Sequence, residues 1–168
     1  MNKIKKVLAC VDLSSYSLMT LEYALELSKG VEAQIVVFNV INQRDINGVE
    51  MAGSYFPGYF LQSINAEDYV KELRKERTQS LKQLIKENFF DEKSMMSIKI
   101  ELGNPSECIL KAIETEHADL IVMANKGKGN ISRVLFGSTA EKVFRHSPVP
   151  VFSARDKNIF KRDLNILE

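Results

Sequence analysis

Two glycine positions on either side of one loop have the residue types that bind phosphate. The run 126–129 reads Lys-Gly-Lys-Gly, and the pair Gly137-Ser138 follows it. Glycine allows positive φ and lets a ligand approach main-chain N–H groups closely. The lysines add mobile positive charge. This combination indicates an anion site, and phosphate is the anion that it suits best.

A helix is predicted to begin at Ser138, directly behind this loop. Ser138 and Glu141 have the spacing of a capping box, in which each side chain accepts a main-chain N–H of the first turn. The first N–H groups of a helix have no intrahelical acceptor and lie at the positive end of the macrodipole. The helix start therefore adds donors to the glycine positions.

The loop follows an apolar run, Leu120–Met123, that is typical of a strand buried on both faces. Strand patterns also occur at Val7–Val11, Gln34–Val40, Ser97–Leu102 and Pro148–Phe152. The third strand alternates apolar and charged residues and the fifth contains two prolines, so both are predicted at sheet edges. Helical patterns separate the strands, which predicts an α/β domain with a parallel sheet and right-handed crossovers.

Asp12 ends the first strand pattern. A helix is predicted to start over 12–15 and to end with a cap at Gly30. Open α/β sheets bind ligands at the carboxyl ends of their strands, where a carboxylate accepts hydrogen bonds from a ribose hydroxyl or an adenine amino group. A helix N-cap is the alternative role of Asp12, and the two roles do not exclude one another.

Composition argues against several classes of function. The chain has 168 residues and a formal net charge of +1, so neither nucleic acid nor an anionic membrane is expected as a partner. Cys10 and Cys108 lack the spacing of a metal or CxxC site and are interpreted as packed, reduced thiols. The sequence has no apolar leader pattern after Met1 and no run long enough to span a membrane. We expect a cytoplasmic protein.

Two segments fall outside the regular pattern. Residues 42–64 show no clear periodicity, contain an aromatic cluster within 55–60, and are predicted as a long loop. Its aromatic side chains could cover a ligand, contact a second subunit or pack on their own domain. One domain is predicted over 1–155, followed by a tail, 156–168, that either docks on a partner subunit or frays.

The spacing behind the fourth strand resembles the nucleotide loop of the universal stress protein family. Its ATP-binding branch has Gly, two residues, Gly, nine residues, then Gly followed by Ser or Thr. Here Ala124 takes the first position, and Gly127, Gly137 and Ser138 take the others. The likeness extends from Lys5 to Ala154 and includes Val11-Asp12, Gly103, Pro105 and the run 148–151.

The resemblance implies a fold and an assembly. The expected fold is a Rossmann-like, five-stranded parallel sheet in the order 3-2-1-4-5 with helices on both faces, as in the adenine nucleotide alpha-hydrolase-like proteins. Strands 1 and 4 are neighbours in that order, so Asp12 and the loop 124–139 would face one crevice. The last strand, Val149–Ser153, is expected to pair with its twin in a homodimer.

The resemblance also implies an ATP site. Adenine would pair with the main chain near Val40, and ribose would lie near Asp12 and the turn 123–124. The phosphates would bind the N–H groups of Gly127 and 137–139, assisted by the Ser138 hydroxyl and Lys126, and would hold a Mg²⁺ or Mn²⁺ ion. The expected cofactor-binding residues are Val11, Asp12, Leu13, Val40, Met123, Ala124, Lys126, Gly127, Gly137, Ser138 and Thr139.

The implied function is a nucleotide-dependent stress-response or signalling regulator. The sequence has no Walker A loop, acid pair or activated nucleophile directed at the phosphates, so efficient hydrolysis is not expected. The alternatives are a dimeric scaffold that does not bind ATP and a slow ATPase or self-phosphorylating enzyme, with Ser132, Ser138 or Thr139 as acceptor. Ala124 bears on this choice: it is strained if its position needs positive φ, and nearly without cost if it needs only close approach.

Overall fold

A computed structural model describes residues 3–55, 66–125 and 137–155. In chain order the elements are β1 (Lys6–Cys10), α1 (Ser17–Lys29), β2 (Gln34–Asn42), α2 (Gln43–Tyr55), α3 (Ala66–Asn88), a 3-10 turn (Lys93–Met95), β3 (Met96–Gly103), α4 (Pro105–Thr115), β4 (Leu120–Ala124), α5 (Ser138–His146) and β5 (Val151–Ala154). Predictions made for 56–65, 126–136 and 156–168 lie outside the described residues.

The strands form one five-stranded sheet in the order β3-β2-β1-β4-β5, and every neighbouring pair is parallel. The predicted fold class and strand order are therefore confirmed, as are the edge positions of β3 and β5. β5 begins at Val151, after both prolines. A proline lacks the N–H that a strand ladder needs, which explains this late start.

The sheet buries apolar side chains on both faces. Alternate residues of β1 point to opposite sides: Val7 and Ala9 join the cluster that α1 and α3 cover, whereas Leu8 joins the cluster that α4 and α5 cover. All three are fully buried. Burial on both faces explains the continuous apolar runs of the central strands and fixes their register.

The chain between β1 and α1 differs from the prediction. α1 begins at Ser17, its N-cap residue is Tyr16, and no side chain caps it, so the N-cap role of Asp12 was wrong. The Asp12 Oδ1 atom instead accepts the N–H of Ser14 at 3.0 Å, and Leu13 takes a φ of 61°. A turn with a left-handed residue cannot be the first turn of a helix, which delays the helix start.

Residues 43–55 form helix α2, so the prediction of an irregular loop was wrong for this part of the chain. Asn42 ends β2, and its Oδ1 atom accepts the N–H of Arg44 at 3.1 Å. Ile46 is buried and belongs to the core cluster on the α1 side. One buried anchor and a local side-chain bond thus support a helix whose sequence lacks a regular apolar stripe.

The start of α4 follows the sequence closely. Asn104 is the N-cap residue, its side chain accepts the N–H groups of Ser106 and Glu107, and Pro105 occupies the first turn. Gly103, just before the cap, has a φ of 152°. A Cβ atom at Gly103 would lie 2.8 Å from Cys108 Sγ, so both the backbone angle and the available space require glycine here.

Candidate functional site

Three strand ends lie side by side at one edge of the sheet. Cys10, the last residue of β1, pairs with Phe38 of β2 on one side and with Met123 of β4 on the other. Since the three strands are parallel, the residues that follow these partners come out at the same edge. Asp12, Val40 and Ala124 are therefore close to one another in the fold, as the strand order predicted. The order reverses direction at β1, which makes this edge the topological switch point.

Asp12 is half-buried at this edge and belongs to a tight turn. Its Oδ1 atom accepts the N–H of Ser14, while Val11 is held in the ladder by donating its N–H to Phe38 O at 2.9 Å. The positive φ of Leu13 turns the chain away from the sheet. Non-glycine residues with positive φ are uncommon and often mark functional turns. The turn gives the carboxylate a fixed position at the switch point.

Ala124 has ordinary strand geometry. It is the last residue of β4 and pairs with Ala154 of β5. Among the described residues, the non-glycine positions with positive φ are Leu13, Glu32 and His117, so Ala124 is not one of them. The alanine that replaces the first glycine of the motif therefore causes no backbone strain.

The two ends of the segment 126–136 are tied together. Gly137 donates its N–H to Asn125 O at 2.9 Å, and Asn125 donates its own N–H to Ala154 O of β5 at 3.2 Å. The start of α5 is thus anchored to the ends of β4 and β5. The Gly137 N–H thus has an acceptor within the protein, and its use as a phosphate donor stays a prediction.

Gly137 is the N-cap residue of α5, with φ −67° and ψ 153°, and it makes no side-chain cap. The predicted capping box was wrong, because Ser138 is already the first helical residue and cannot also cap the helix. The Ser138 side chain is exposed and that of Thr139 is half-buried. By helix geometry the N–H groups of these two residues have no intrahelical acceptor, so they remain suitable donors to an anion.

Nothing in the described protein requires glycine at 137. Its backbone angles suit any residue. A Cβ atom would have Asn125 O, at 3.7 Å, as its nearest neighbour among the described atoms, which is ordinary van der Waals contact. Gly137 thus differs from Gly103, whose neighbour and backbone angle both demand glycine. The described atoms therefore leave the first N–H groups of α5 accessible, and an anion bound at a helix start needs such access.

The Val40 position carries a hydrogen-bond network that the sequence did not predict. Arg77 of α3 donates from Nη1 to Val40 O at 2.8 Å and to Asn39 Oδ1 at 2.9 Å. Asn39 donates from Nδ2 to Val11 O at 2.7 Å and is 1% exposed. The sequence signal was Asn39, a polar residue in the interior of the apolar strand pattern, because a buried amide needs partners. Arg77 lies on a helix face of mixed charge and gave no signal.

The remaining site predictions divide into two groups. Val11 and Met123 are buried at the ends of β1 and β4, and Leu13 is half-buried in the turn, so these three lie beside Asp12 and Ala124 as expected. Lys126 and Gly127 lie outside the described residues.

Both cysteine thiols have pKa values above their usual range. Burial raises the pKa of the Cys10 thiol far above its usual range, which keeps it protonated and unreactive. Burial, together with the nearby Glu101 carboxylate, also raises the pKa of Cys108. Across 3–55, 66–125 and 137–155, no group of three or more His, Cys, Asp and Glu residues has the arrangement to hold a metal ion.

The fold and the site together define a class of protein. Its members are α/β proteins with a parallel sheet and with polar main-chain groups grouped at the carboxyl ends of the strands, at the switch point. Residues 3–155 match the model of the universal stress protein family. The chain belongs to that family.

Within the described parts of the chain, every helix is too short or too polar to cross a membrane.

Sequence and structure comparisons give similar relatives. The chain is 28% identical over 158 residues to universal stress protein MJ0577 of Methanocaldococcus jannaschii, with 92% of this chain and 96% of that protein covered. The solved structure of MJ0577 superposes with a TM-score of 0.74 at 25% identity, covering 94% of this chain and 99% of that one. This likeness extends over almost the full length of both proteins.

Two further solved structures share the fold and contain adenine nucleotides. A universal stress protein in complex with cAMP has a TM-score of 0.56 at 17% identity, with 92% of this chain and 98% of that chain covered. The universal stress protein from Archaeoglobus fulgidus in complex with dAMP has a TM-score of 0.53 at 18% identity, with 92% and 100% covered. Relatives of this chain therefore bind adenine nucleotides.

Proposed function

We propose that this protein is an ATP-binding homodimer that acts as a nucleotide-dependent regulator of a stress response. The observation that carries the proposal is Gly137, a glycine that the surrounding described atoms do not require, at the start of α5 and beside the ends of β4 and β5. It leaves room for phosphates next to the N–H groups of Ser138 and Thr139. The complexes of relatives with cAMP and dAMP support an adenine nucleotide as the ligand.

In this proposal each strand end has one role. Asp12 accepts hydrogen bonds from the ribose hydroxyls, the main chain at Val40 pairs with the base, and Met123 and Ala124 line the ribose. The unstrained backbone of Ala124 supports binding despite the missing motif glycine. Lys126 and Gly127 are proposed to act on the phosphates, and Mg²⁺ or Mn²⁺ would be held mainly by phosphate oxygens.

The proposed role is regulatory. The sequence contains no Walker A loop. The Asp12 carboxylate is engaged by the Ser14 N–H, which does not favour a role as general base. Single-turnover assays with labelled ATP test this view, and release of γ-phosphate faster than in buffer would favour the slow enzyme instead.

Calorimetric titration of the nucleotide-stripped protein with ATP and Mg²⁺ tests the proposal directly, with AMP and GTP as comparisons. We expect micromolar or tighter binding of ATP, about −8 kcal/mol or better. No heat, together with an unchanged melting temperature at millimolar ATP, would contradict the proposal and favour the scaffold that does not bind ATP.

Gly137→Val tests the site. The angles at 137 accept valine, so the fold should be retained, while the added side chain crowds the phosphates and weakens ATP binding by about tenfold or more. Gly30→Val is the matched control, because Gly30 has a φ of −71° and no atom within 4 Å of a Cβ. Equal ATP affinity in the two variants, measured by calorimetry, would disprove the assignment.

A further inference from the structure

We infer that Arg77 is a positioning residue for recognition of the base: it fixes the Val40 carbonyl and joins it through Asn39 to the end of β1. The inference rests on the proposed function, because it concerns the same site. Arg77 lies on α3, far in sequence from the glycine loop and from Asp12, and its side chain is half-buried.

The direction of the Val40 main chain follows from the ladder. Val11 donates its N–H to Phe38 O, so the main-chain polar groups of Phe38 face β1. Alternate residues of a strand face the same neighbour, and Val40 therefore directs its N–H and C=O to the same side. β1 ends at Cys10, before it reaches that level. Among the described residues, the Val40 main chain therefore faces the space beside Asp12, beyond the end of β1.

Arg77 holds the Val40 main chain with one nitrogen. Nη1 carries two hydrogens, and its two acceptors, Val40 O and Asn39 Oδ1, lie at 2.8 and 2.9 Å. The planar guanidinium fixes the positions of both oxygens relative to each other. A carbonyl oxygen has two lone pairs, so Val40 O retains one acceptor position. Charge-assisted bonds of this kind are the stronger ones.

Asn39 extends the contact to β1. Its Nδ2 donates to Val11 O at 2.7 Å, one residue before Asp12. Asn39 is buried, so loss of the guanidinium would leave its Oδ1 without this partner in an apolar environment. The amide would then turn to find another partner, and its hold on Val11 would weaken. Arg77 thus sets the position of the Val40 main chain, which would bind the base, relative to the end of β1, where Asp12 would bind the ribose.

This arrangement has a consequence for base selectivity. Adenine presents an amino donor and a ring-nitrogen acceptor, which match the C=O and N–H of one residue, Val40, because both point to the same side of the strand. Hypoxanthine presents an oxo group and a ring N–H at the same two positions and mismatches both. A correctly oriented Val40 main chain should therefore favour ATP over ITP, and loss of Arg77 should lower that preference.

Arg77→Met tests the inference, because methionine keeps much of the apolar stem and removes the guanidinium. We expect ATP affinity to fall about tenfold while ITP affinity changes little, so that the ATP-to-ITP ratio decreases by a similar factor. Arg77→Lys should recover part of the ratio, because an ammonium provides donors without the planar geometry.

Arg74→Met is the matched control. Arg74 lies one helical turn earlier on α3 and also donates from Nη1 to a strand carbonyl, that of Ile100 in β3. We expect wild-type nucleotide affinities for this variant. Equal ATP-to-ITP affinity ratios in Arg77→Met and Arg74→Met would overturn the inference. An equal fall in the ATP and ITP affinities of Arg77→Met would also overturn it, because such a fall indicates loosened packing alone.

Hydrogen exchange on the nucleotide-free protein gives a second readout. We expect Arg77→Met, but not Arg74→Met, to speed the exchange of the main-chain amides at 11–14 and 39–42. Unchanged rates would overturn the inference without any ligand.

Titration of the wild type separates the two proposals. Failure of the wild type to bind ATP contradicts the proposed function, whereas ATP binding with an unaltered ratio in Arg77→Met contradicts this inference alone.

Discussion

At the scale of the residue, Gly103 gives the sharpest prediction about stability. Gly103→Ala should lower the free energy of unfolding by about 1–3 kcal/mol, because alanine at a φ of 152° is strained and its Cβ would meet Cys108 Sγ at 2.8 Å. Chemical denaturation measures this change. Gly30→Ala, with φ −71° and open space, is the control and should be near neutral. Equal effects of the two substitutions would refute the explanation.

The clash and the backbone strain at Gly103 are separable. Cys108→Ala removes the sulfur that a Cβ would contact, so it should recover part of the loss in the double variant while the strain at 103 remains. A full recovery would mean that the backbone angle contributes little.

Single residues also mark how far sequence reasoning reaches at the site. Asp12 and Ala124 could be assigned to one edge because apolar runs marked the ends of their strands and the family resemblance implied that strands 1 and 4 are neighbours. The partners of individual polar groups could not, because they depend on side chains distant in sequence. Arg77 reaches Val40 from α3, and Asn125 takes the Gly137 N–H. Both contacts arise only after the helices pack.

At the scale of the element, the N-cap of α4 makes a measurable contribution to the stability of the protein. Asn104→Ala should destabilise the protein by about 1 kcal/mol, because the side chain accepts the N–H groups of Ser106 and Glu107. Asn104→Ser should remain within a few tenths of a kcal/mol of the wild type, because serine is an equally favoured cap. Thermal denaturation compares the two variants. Equal losses would show that the cap bond is not the cause.

Elements were predictable where one pattern dominated. The strands were found because burial on both faces gives apolar runs, and the cap, the proline and the buried stripe of α4 all favour the same helix. α2 was missed because its stability depends on the buried Ile46 and on a side-chain bond from Asn42 to the Arg44 N–H, neither of which is periodic. The start of α1 was misplaced because the Asp12 side chain closes a turn instead of capping the helix.

At the scale of the whole molecule, β5 tests the proposed homodimer. Ile121 of β4 donates to Pro150 O, and Asn125, just after β4, donates to Ala154 O, so the even-numbered residues along β5 direct their polar groups to β4. The odd-numbered residues, Val151 and Ser153, therefore direct theirs to the open edge. Val151→Pro should remove one outward N–H, leave the β4 ladder intact and shift the protein towards monomer in analytical ultracentrifugation.

Val151→Ala is the control for this prediction, because it shortens the same side chain and keeps the N–H. It should retain more of the dimer than Val151→Pro. An identical sedimentation profile for wild type and both variants would place the subunit contact elsewhere, or show that the chain is a monomer.

The central position of β1 also has a consequence during translation, because its two neighbours in the sheet are synthesised at different times. β1 emerges from the ribosome first and can pair with β2 early, but its other neighbour, β4, is among the last strands to be made. One side of the oldest strand thus remains open for most of synthesis, and unpaired strand edges invite association with other chains. A nascent chain that stops before residue 124 lacks the β4 side of the edge around Asp12, so the proposed ligand could bind there only after β4 has been made.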